Sequence, residues 1–425
     1  MFNNIFDRLR GVTQTYFRHR PTAPRPQVDP DEGSGGTEAS AVQLNRRGSV
    51  LGCRPLRREF AVQALERIAD RGDHRVHTLT MDGNDDGRMA TTRWLERLDD
   101  TRKQSEALGG AIVGQLVCGH ERLAEPIREI LRNPDCPLTF LCADDEPALC
   151  SPGCQITVIT GAPVQSLRVD GQPYGGVVNT PLATSCRLGN VGSTKSLQDR
   201  GKQAHNAFER AAALLRLAGL DARDMVRTWV FLGDILSWYG DFNSVRTEFF
   251  RQAGVLDGLV PVSTAVGMRG GCRRDLAIDV WAIRPKSEKV SFQAVSSPLQ
   301  GSARDYGSAF SRAVEVRWPG QRELWVSGTA SIGPDGESQF VGDVQRQIHR
   351  TLDVVEAILK SRHMDWRHTT RAIAYFRRSA DLPAWHQCCK SRGIHGESVP
   401  TLLAQGTICR DELLFELELD AACGA

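Results

Sequence analysis

One stretch of this chain occurs twice. Gln203-x-His205 opens a helix-patterned run through Leu214-Leu215, followed by Asp221 and by Arg227 in an apolar strand pattern. The same landmarks recur 144 residues further on, as Gln347-x-His349, Ile358-Leu359, Asp365 and Arg371. Spacing kept without a gap over about 30 residues implies two copies of one helix–turn–strand unit, and an internal repeat decides architecture before any local propensity does.

The rest of the composition narrows the class. A chain of 425 residues holds two or three domains with a sizeable core. Apolar and charged fractions of 40% and 24% are ordinary for a globular protein. The net charge of +2 is spread along the chain, so no nucleic-acid partner is expected. No apolar run is long enough to span a bilayer, and the first twenty residues lack the apolar segment of a signal peptide, so a cytoplasmic location is expected. The twelve cysteines are irregularly spaced and read as free thiols. Cys136, Cys142, Cys150 and Cys154 include no C-x-x-C pair and no interleaved His, so neither a metal nor another cofactor is expected.

Four segments follow. Residues 1–50 are a flexible segment, with 21–50 rich in Pro, Gly, Ser and Thr. Residues 51–185 are globular without a recognisable pattern, apart from an amphipathic helix expected over 57–68, partial helix over 91–131 and a strand over 155–160. The two repeat domains are placed at 186–288 and 289–425. The second is expected to run strand, strand, helix, strand, helix, strand, with a hairpin made by strand Glu323–Ser327, the segment Gly328–Ile332 that follows it and a turn at Gly333-Pro-Asp-Gly336, and with Asp343 as the N-cap of the next helix. In its last strand, period-2 alternation puts Leu414, Glu416 and Glu418 on one face and Phe415, Leu417 and Leu419 on the other. The apolar face requires a helical cover. The acidic face requires solvent, an interface or a pocket. Tyr375 and Arg377 share a strand face by the same rule. Arg227 and Arg371, equivalent in the two copies, read as a structural ion pair repeated with the fold.

Phe310-Ser-Arg-Ala313, Ser327-Gly-Thr-Ala-Ser-Ile332, Gly342-Asp343, Gln347, Tyr239-x-x-Phe-Asn-x-x-Arg246 and Cys409-Arg-x-x-Leu-Leu-x-Glu416 together resemble the YjgF-like superfamily of reactive-intermediate deaminases (Rid proteins). Within it the chain looks most like the two-domain chorismatases. The resemblance covers about 186–420 and implies an α+β chain of tandem Rid-like, chorismate-mutase-like domains. Each would be a mixed β-sheet with helices packed on one face, following an N-terminal extension, and the second would be the active-site domain. Deaminating Rid proteins carry a substrate-binding Arg in a Pro-x-Arg motif. Here the corresponding stretches read Pro261-Val-Ser263 and Pro400-Thr-Leu402, and chorismatases also lack that Arg. The first copy departs from the chorismatase pattern at Gly189-Asn-Val-Gly-Ser-Thr194.

What the resemblance implies is cleavage of an enolpyruvyl ether of chorismate or a related small acid, with release of pyruvate. Glu416 matches the family's catalytic acid, and Cys409 a position that steers the outcome in some members. A proton donor to carbon must stay protonated near neutral pH, which burial or a second carboxylate such as Glu418 provides. A carboxylate substrate calls for cations and donors, for which Arg377, Tyr375, Tyr239, Arg246 and Arg410 are candidates. The backbone N–H groups of Ser327, Gly328 and Thr329 are further candidates, although a tight strand end accounts for them equally. Two other readings stand beside this one: a Rid-type hydrolase or deaminase acting on another small molecule, and a non-catalytic Rid-like binding subunit. Single-domain relatives form trimers with sites between subunits. A homotrimer, or a ring closed within the chain itself, is therefore the expected assembly, with a small carboxylate as partner.

Overall fold

The computed structural model describes residues 64–82, 91–143, 152–193, 199–270, 275–396 and 399–424. The expectations for residues 1–50, the first part of the 57–68 helix and Cys150 lie outside these residues. Three six-stranded sheets account for all eighteen strands among them. The first unit runs β1 (Leu65–Asp70), β2 (Arg75–Met81), α1 (Thr91–Ala107), β3 (Ala111–Cys118), α2 (Ala124–Ile130), β4 (Leu138–Ala143) and β5 (Gly153–Thr160). The second runs β6 (Val164–Val169), β7 (Gln172–Asn179), β8 (Ala183–Val191), α3 (Arg200–Leu217), β9 (Met225–Leu232), α4 (Tyr239–Gln252), β10 (Val262–Val266), β11 (Met268–Gly270) and β12 (Leu276–Pro285). The third runs β13 (Ser291–Val295), β14 (Ala313–Trp318), β15 (Gln321–Ala330), α5 (Val344–Lys360), β16 (Thr369–Phe376), α6 (Leu382–Ser391), β17 (Thr401–Gln405) and β18 (Phe415–Gly424).

One path is traced three times. A hairpin leads to a helix, a strand, a second helix, a strand parallel to the first, and a closing strand between the hairpin and the parallel pair. The orders are β1-β2-β5-β3-β4, β7-β8-β12-β9-β10 and β14-β15-β18-β16-β17. The 144-residue repeat is reproduced in detail. Asp221 and Asp365 cap equivalent short 3₁₀ turns at φ, ψ of −139°, −176° and −140°, −177°. Asp343 caps α5 by accepting from the Arg346 backbone N–H. Residues 65–160 supply a further copy with no comparable sequence landmarks. The second sheet begins at Val164, so position 186 falls inside β8.

Three local expectations need correction. Residues 65–70 form strand β1, not the end of a helix, because each pairs antiparallel with β2. Sheet pairing outweighs a weak helical spacing there. The hairpin partner of β15 is the upstream β14, not the segment after Ser327. The third unit gains two strands, β13 beside β14 and β17 parallel to β16, the latter starting directly after Pro400, at the end where proline is tolerated.

Each sheet buries one face under its helices. In the third unit, Ile348, Leu352, Val355, Ile358 and Leu359 form the apolar stripe of α5 and pack on Phe415, Leu417 and Leu419. The opposite faces of all three sheets meet in one shared core holding Val76, Leu141, Trp229, Trp281, Trp325 and Tyr375. β11 leaves the second unit to pair with β4 of the first, which ties the units by backbone as well.

Arg71, in the β1–β2 turn, joins all three units. It is 1% exposed and its Nε and Nη2 donate to the two oxygens of Glu323 at 2.7 and 3.1 Å. Its guanidinium lies 4.8 Å from the ring centre of Trp281 and 4.9 Å from that of Trp318. Removing one member of a buried pair strands the other without solvent. Arg71→Ala is therefore expected to cost about 3–5 kcal/mol in denaturant unfolding. A loss below about 1 kcal/mol, the scale of an exposed pair, would contradict this reading.

Candidate active site

The site follows from the alternation of β18. Glu416, Glu418 and Asp420 leave one face together, and all three are buried. That face meets the second unit. Opposite Glu416, the pairing of β15 with β18 shifts register between Val326 and Thr329, a bulge that takes in Ser327 and Gly328. The Glu416 carboxyl lies flat on this bulge. A Cβ at Gly328 would stand 1.9 Å from Glu416 Oε1, so any larger residue there would have to displace the carboxyl.

Glu416 opens into a cleft of about 690 Å³, counting its mouth. Tyr239, Asn243 and Arg246 enter from one face of α4, and Ser263 and Ala265 from β10, all in the second unit. Phe310, Arg312, Gly328, Cys409, Arg410 and Glu416 enter from the third. The cleft is thus a seam between two units and not a feature of residues 289–425 alone. Val262 and Ser311 close the seam with a parallel bridge.

The cations are held firmly. Arg246 is 1% exposed, donates to Asn243 Oδ1 at 2.6 Å and to Ser263 Oγ at 3.4 Å, and lies over the rings of Phe242 and Phe310. Arg312 is 6% exposed, donates from Nε to the Gly301 carbonyl at 3.0 Å and lies over the Phe310 ring. Ser263, at the end of Pro261-Val-Ser263, touches a guanidinium that comes from α4. Arg410 lines the cleft and also ties down the Gly336 carbonyl at 2.8 Å.

The two glutamates titrate apart. Burial, then the charge of Glu418, pushes the Glu416 carboxyl up to about 8, against the pull of Arg312. Burial acts on Glu418 as well, but Arg371, Arg227 and a hydrogen bond from Thr264 outweigh it and hold Glu418 down to about 2. Trp229 Nε1 also donates to Glu418 Oε1, at 2.8 Å. Thr264 Oγ1 in turn accepts from the Gly328 N–H at 3.1 Å, so one hydroxyl braces both the ionised carboxylate and the floor under Glu416. Burial pushes the Cys409 thiol up to about 12, with Glu416 adding to it, which leaves a neutral thiol in the cleft wall.

Of the residues expected at a site, Glu416, Cys409, Tyr239, Arg246, Arg410 and Gly328 come together in this cleft. Tyr375 and Arg377 do not. Tyr375 pairs with Glu416 across the sheet but is fully buried among Glu418, Cys118 and Arg371, facing the first unit. Arg377 follows the end of β16 and is spent on Asp411, whose carboxylate it meets at 2.6 Å. Backbone donation from the bulge is also taken up, because Ser327 N–H bonds the Arg312 carbonyl and Gly328 N–H bonds Thr264. Ser327 Oγ braces Ser311 and Ser263, and Thr329 Oγ1 donates to the Ser327 carbonyl. Arg227 and Arg371 are structural, both bonded to Asp420 and Glu418. Sequence reasoning missed Arg312, Phe310, Asn243 and Ser263. The run Phe310-Ser-Arg-Ala313 was the available signal for the first two.

No family model matches the chain, and no curated protein matches it. Solved structures do. A chorismatase crystal structure aligns at a TM-score of 0.55 with 17% identity, over 84% of this chain and 99% of that one. A member of the YjgF protein family from Neisseria meningitidis aligns at 0.23 with 16% identity, over 30% and 96%. Yeast Mmf1 aligns at 0.25 with 15% identity, over 31% and 98%. The chain has a Rid-like, chorismatase-similar α+β fold. Among the described residues no helix is long and apolar enough to cross a membrane.

The raised Glu416 value has a thermodynamic sign. Folding lifts it above its ordinary 4.5, so its contribution is present at low pH and lost as pH climbs towards about 8. Glu416→Gln is expected to gain stability relative to the natural chain between about pH 5 and 8 in thermal melts, with a constant difference above that. Gly328→Ala is expected to evict the carboxyl, cost about 1–3 kcal/mol and abolish that pH-dependent difference. Parallel stability curves for the natural chain and Glu416→Gln would show that Glu416 is ionised throughout.

Proposed function

We propose that the cleft binds chorismate or a related small dicarboxylate and cleaves its enolpyruvyl ether, releasing pyruvate. One observation carries this reading. A buried carboxylic acid with its proton held to about pH 8 faces a cleft whose other charged residues, Arg246, Arg312 and Arg410, are cations. A neutral acid among cations suits an anionic substrate that must be protonated on carbon.

The chemistry balances without a cofactor. Arg246 and Arg312 hold carboxylates of the substrate, and Tyr239 and Asn243 supply polar contacts from the same helix face. Glu416 gives its proton to the methylene carbon of the enol ether. The oxocarbenium ion so formed takes up water, and the resulting hemiketal gives its hydroxyl proton to the ring oxygen as the bond between that oxygen and the former methylene-bearing carbon breaks and pyruvate forms. The Glu416 carboxylate recovers the proton released in that capture. Cys409, as a neutral thiol on the wall, shapes the space where capture happens. A Rid-type deamination is less well supported, because Ser263 and Leu402 stand where its arginine belongs.

Purified protein mixed with chorismate is expected to release pyruvate, and Glu416→Gln to slow release by about 10²-fold or more with no loss of melting temperature. The rate should be sustained below pH 8 and fall as pH rises through it, since the ionised form of Glu416 donates nothing. Arg246→Ala should raise KM more than it lowers kcat. Failure of the natural chain to release pyruvate across pH 6–8 would overturn the chorismate assignment.

A further inference from the structure

The charged cluster where the three sheets meet is not used by the chemistry above. It consists of Arg187, Arg227 and Arg371 with Asp279, Glu418 and Asp420, and the three guanidinium carbons lie 3.9, 4.7 and 5.3 Å from the centre of the Trp229 ring. Within it Glu418 is the most heavily bound carboxylate. Arg371 reaches it from its own sheet, and Arg227, Trp229 and Thr264 reach it from the second unit. Glu418 is 0% exposed and stands two residues from Glu416 on the same strand face.

The equivalent place in the second unit makes the contrast. Ala277 pairs with Phe231 as Glu416 pairs with Tyr375, so no acid stands there. Asp279 takes the place of Glu418, and its nearest guanidinium, Arg187, is 3.6 Å away. A carboxylate gripped by two arginines, an indole N–H and a hydroxyl occurs at the seam where a protonated acid also occurs.

We infer that Glu418 is a positioning residue for the acid: an anion fixed largely by the neighbouring unit, whose charge keeps the proton on Glu416. The inference rests on Glu416 being the acid of the proposed reaction. The other ionisable groups lining the cleft with Glu416 are Arg312, Cys409 and Arg410 from the third unit and Tyr239 and Arg246 from α4, and Tyr375 of β16 pairs with Glu416 within the sheet. Of these, Arg312 favours ionisation of Glu416, while the thiol of Cys409 and the phenol of Tyr375 are neutral. Burial and Glu418 are therefore the two influences that oppose it. Asp420, further along the strand, is spent on Arg227 and Arg371.

The test reads the proton directly and needs no substrate. Infrared spectra of the full chain, with glutamate carboxyls isotopically labelled, are recorded from pH 5 to 10 for the natural chain, Glu416→Gln, Glu418→Gln and Glu418→Asp. The natural chain is expected to show a protonated-carboxyl band that vanishes near pH 8, and Glu416→Gln to lack it. Glu418→Gln should move its disappearance down by about one pH unit or more, and Glu418→Asp should restore it towards the natural position. A band unmoved in Glu418→Gln overturns the inference. So does a neutral-pH band that persists in Glu416→Gln, a variant that leaves every bond to Glu418 in place; should Glu418→Gln not fold, Arg371→Gln, which frees the Glu418 charge from its nearest cation, is expected to move the disappearance up, and an unmoved band there overturns the inference. Absence of pyruvate release with the band behaving as expected would overturn the chorismate reading and leave this one standing.

Discussion

The ion pairs between β18 and the arginines of β9 and β16 are the interaction on which the rest depends. Burying two carboxylates and two guanidinium groups is costly unless each finds partners, and here each does: Arg227 and Arg371 both bridge Glu418 and Asp420. This lattice fixes the second unit against the third at a defined register. Arg71 in its tryptophan cage does the same for the first unit. The seam that opens beside the lattice is the cleft, and its geometry is inherited from these buried contacts and not from mobile loops.

A single chain thereby builds a site from two units. Helix α4 and strand β10 bring Arg246 and Ser263 to one wall, and the β15 bulge and the start of β18 bring Gly328 and Glu416 to the other. The acid occurs in one copy only, with Ala277 at its counterpart in the second unit. Three copies of a fold therefore need not mean three sites. The second copy contributes Arg227, Trp229 and Thr264 to the grip on the third copy's own Glu418, and that grip, with burial, sets a protonated glutamate and an ionised one two residues apart.

The repeat of Asp221 and Arg227 at Asp365 and Arg371 was legible because capping and ion pairing demand particular side chains at particular places. The alternation of Glu416 and Glu418 against Phe415, Leu417 and Leu419 was legible because a strand has only two faces. The copy at 65–160 was not. Its inward positions include Leu116 and Gln155, where the other copies use Trp229 or Ile373 and Asp279 or Glu418, so the shared topology does not carry the same residues there. Tyr375 and Arg377 failed as site residues for a related reason. Period-2 reasoning gives the face but not which neighbouring unit covers it, and β16 ends before Arg377. Arg312 was hidden because its role is set by a neighbour remote in sequence, the cleft wall of α4.

Calorimetric titration of Glu416→Gln with chorismate tests the central claim most directly, because the variant keeps the cleft and cannot turn the ligand over. The account predicts saturable binding at one molecule per chain that is lost when Arg246→Ala is added. Absence of binding, more than one equivalent site per chain, or binding indifferent to Arg246 would contradict it.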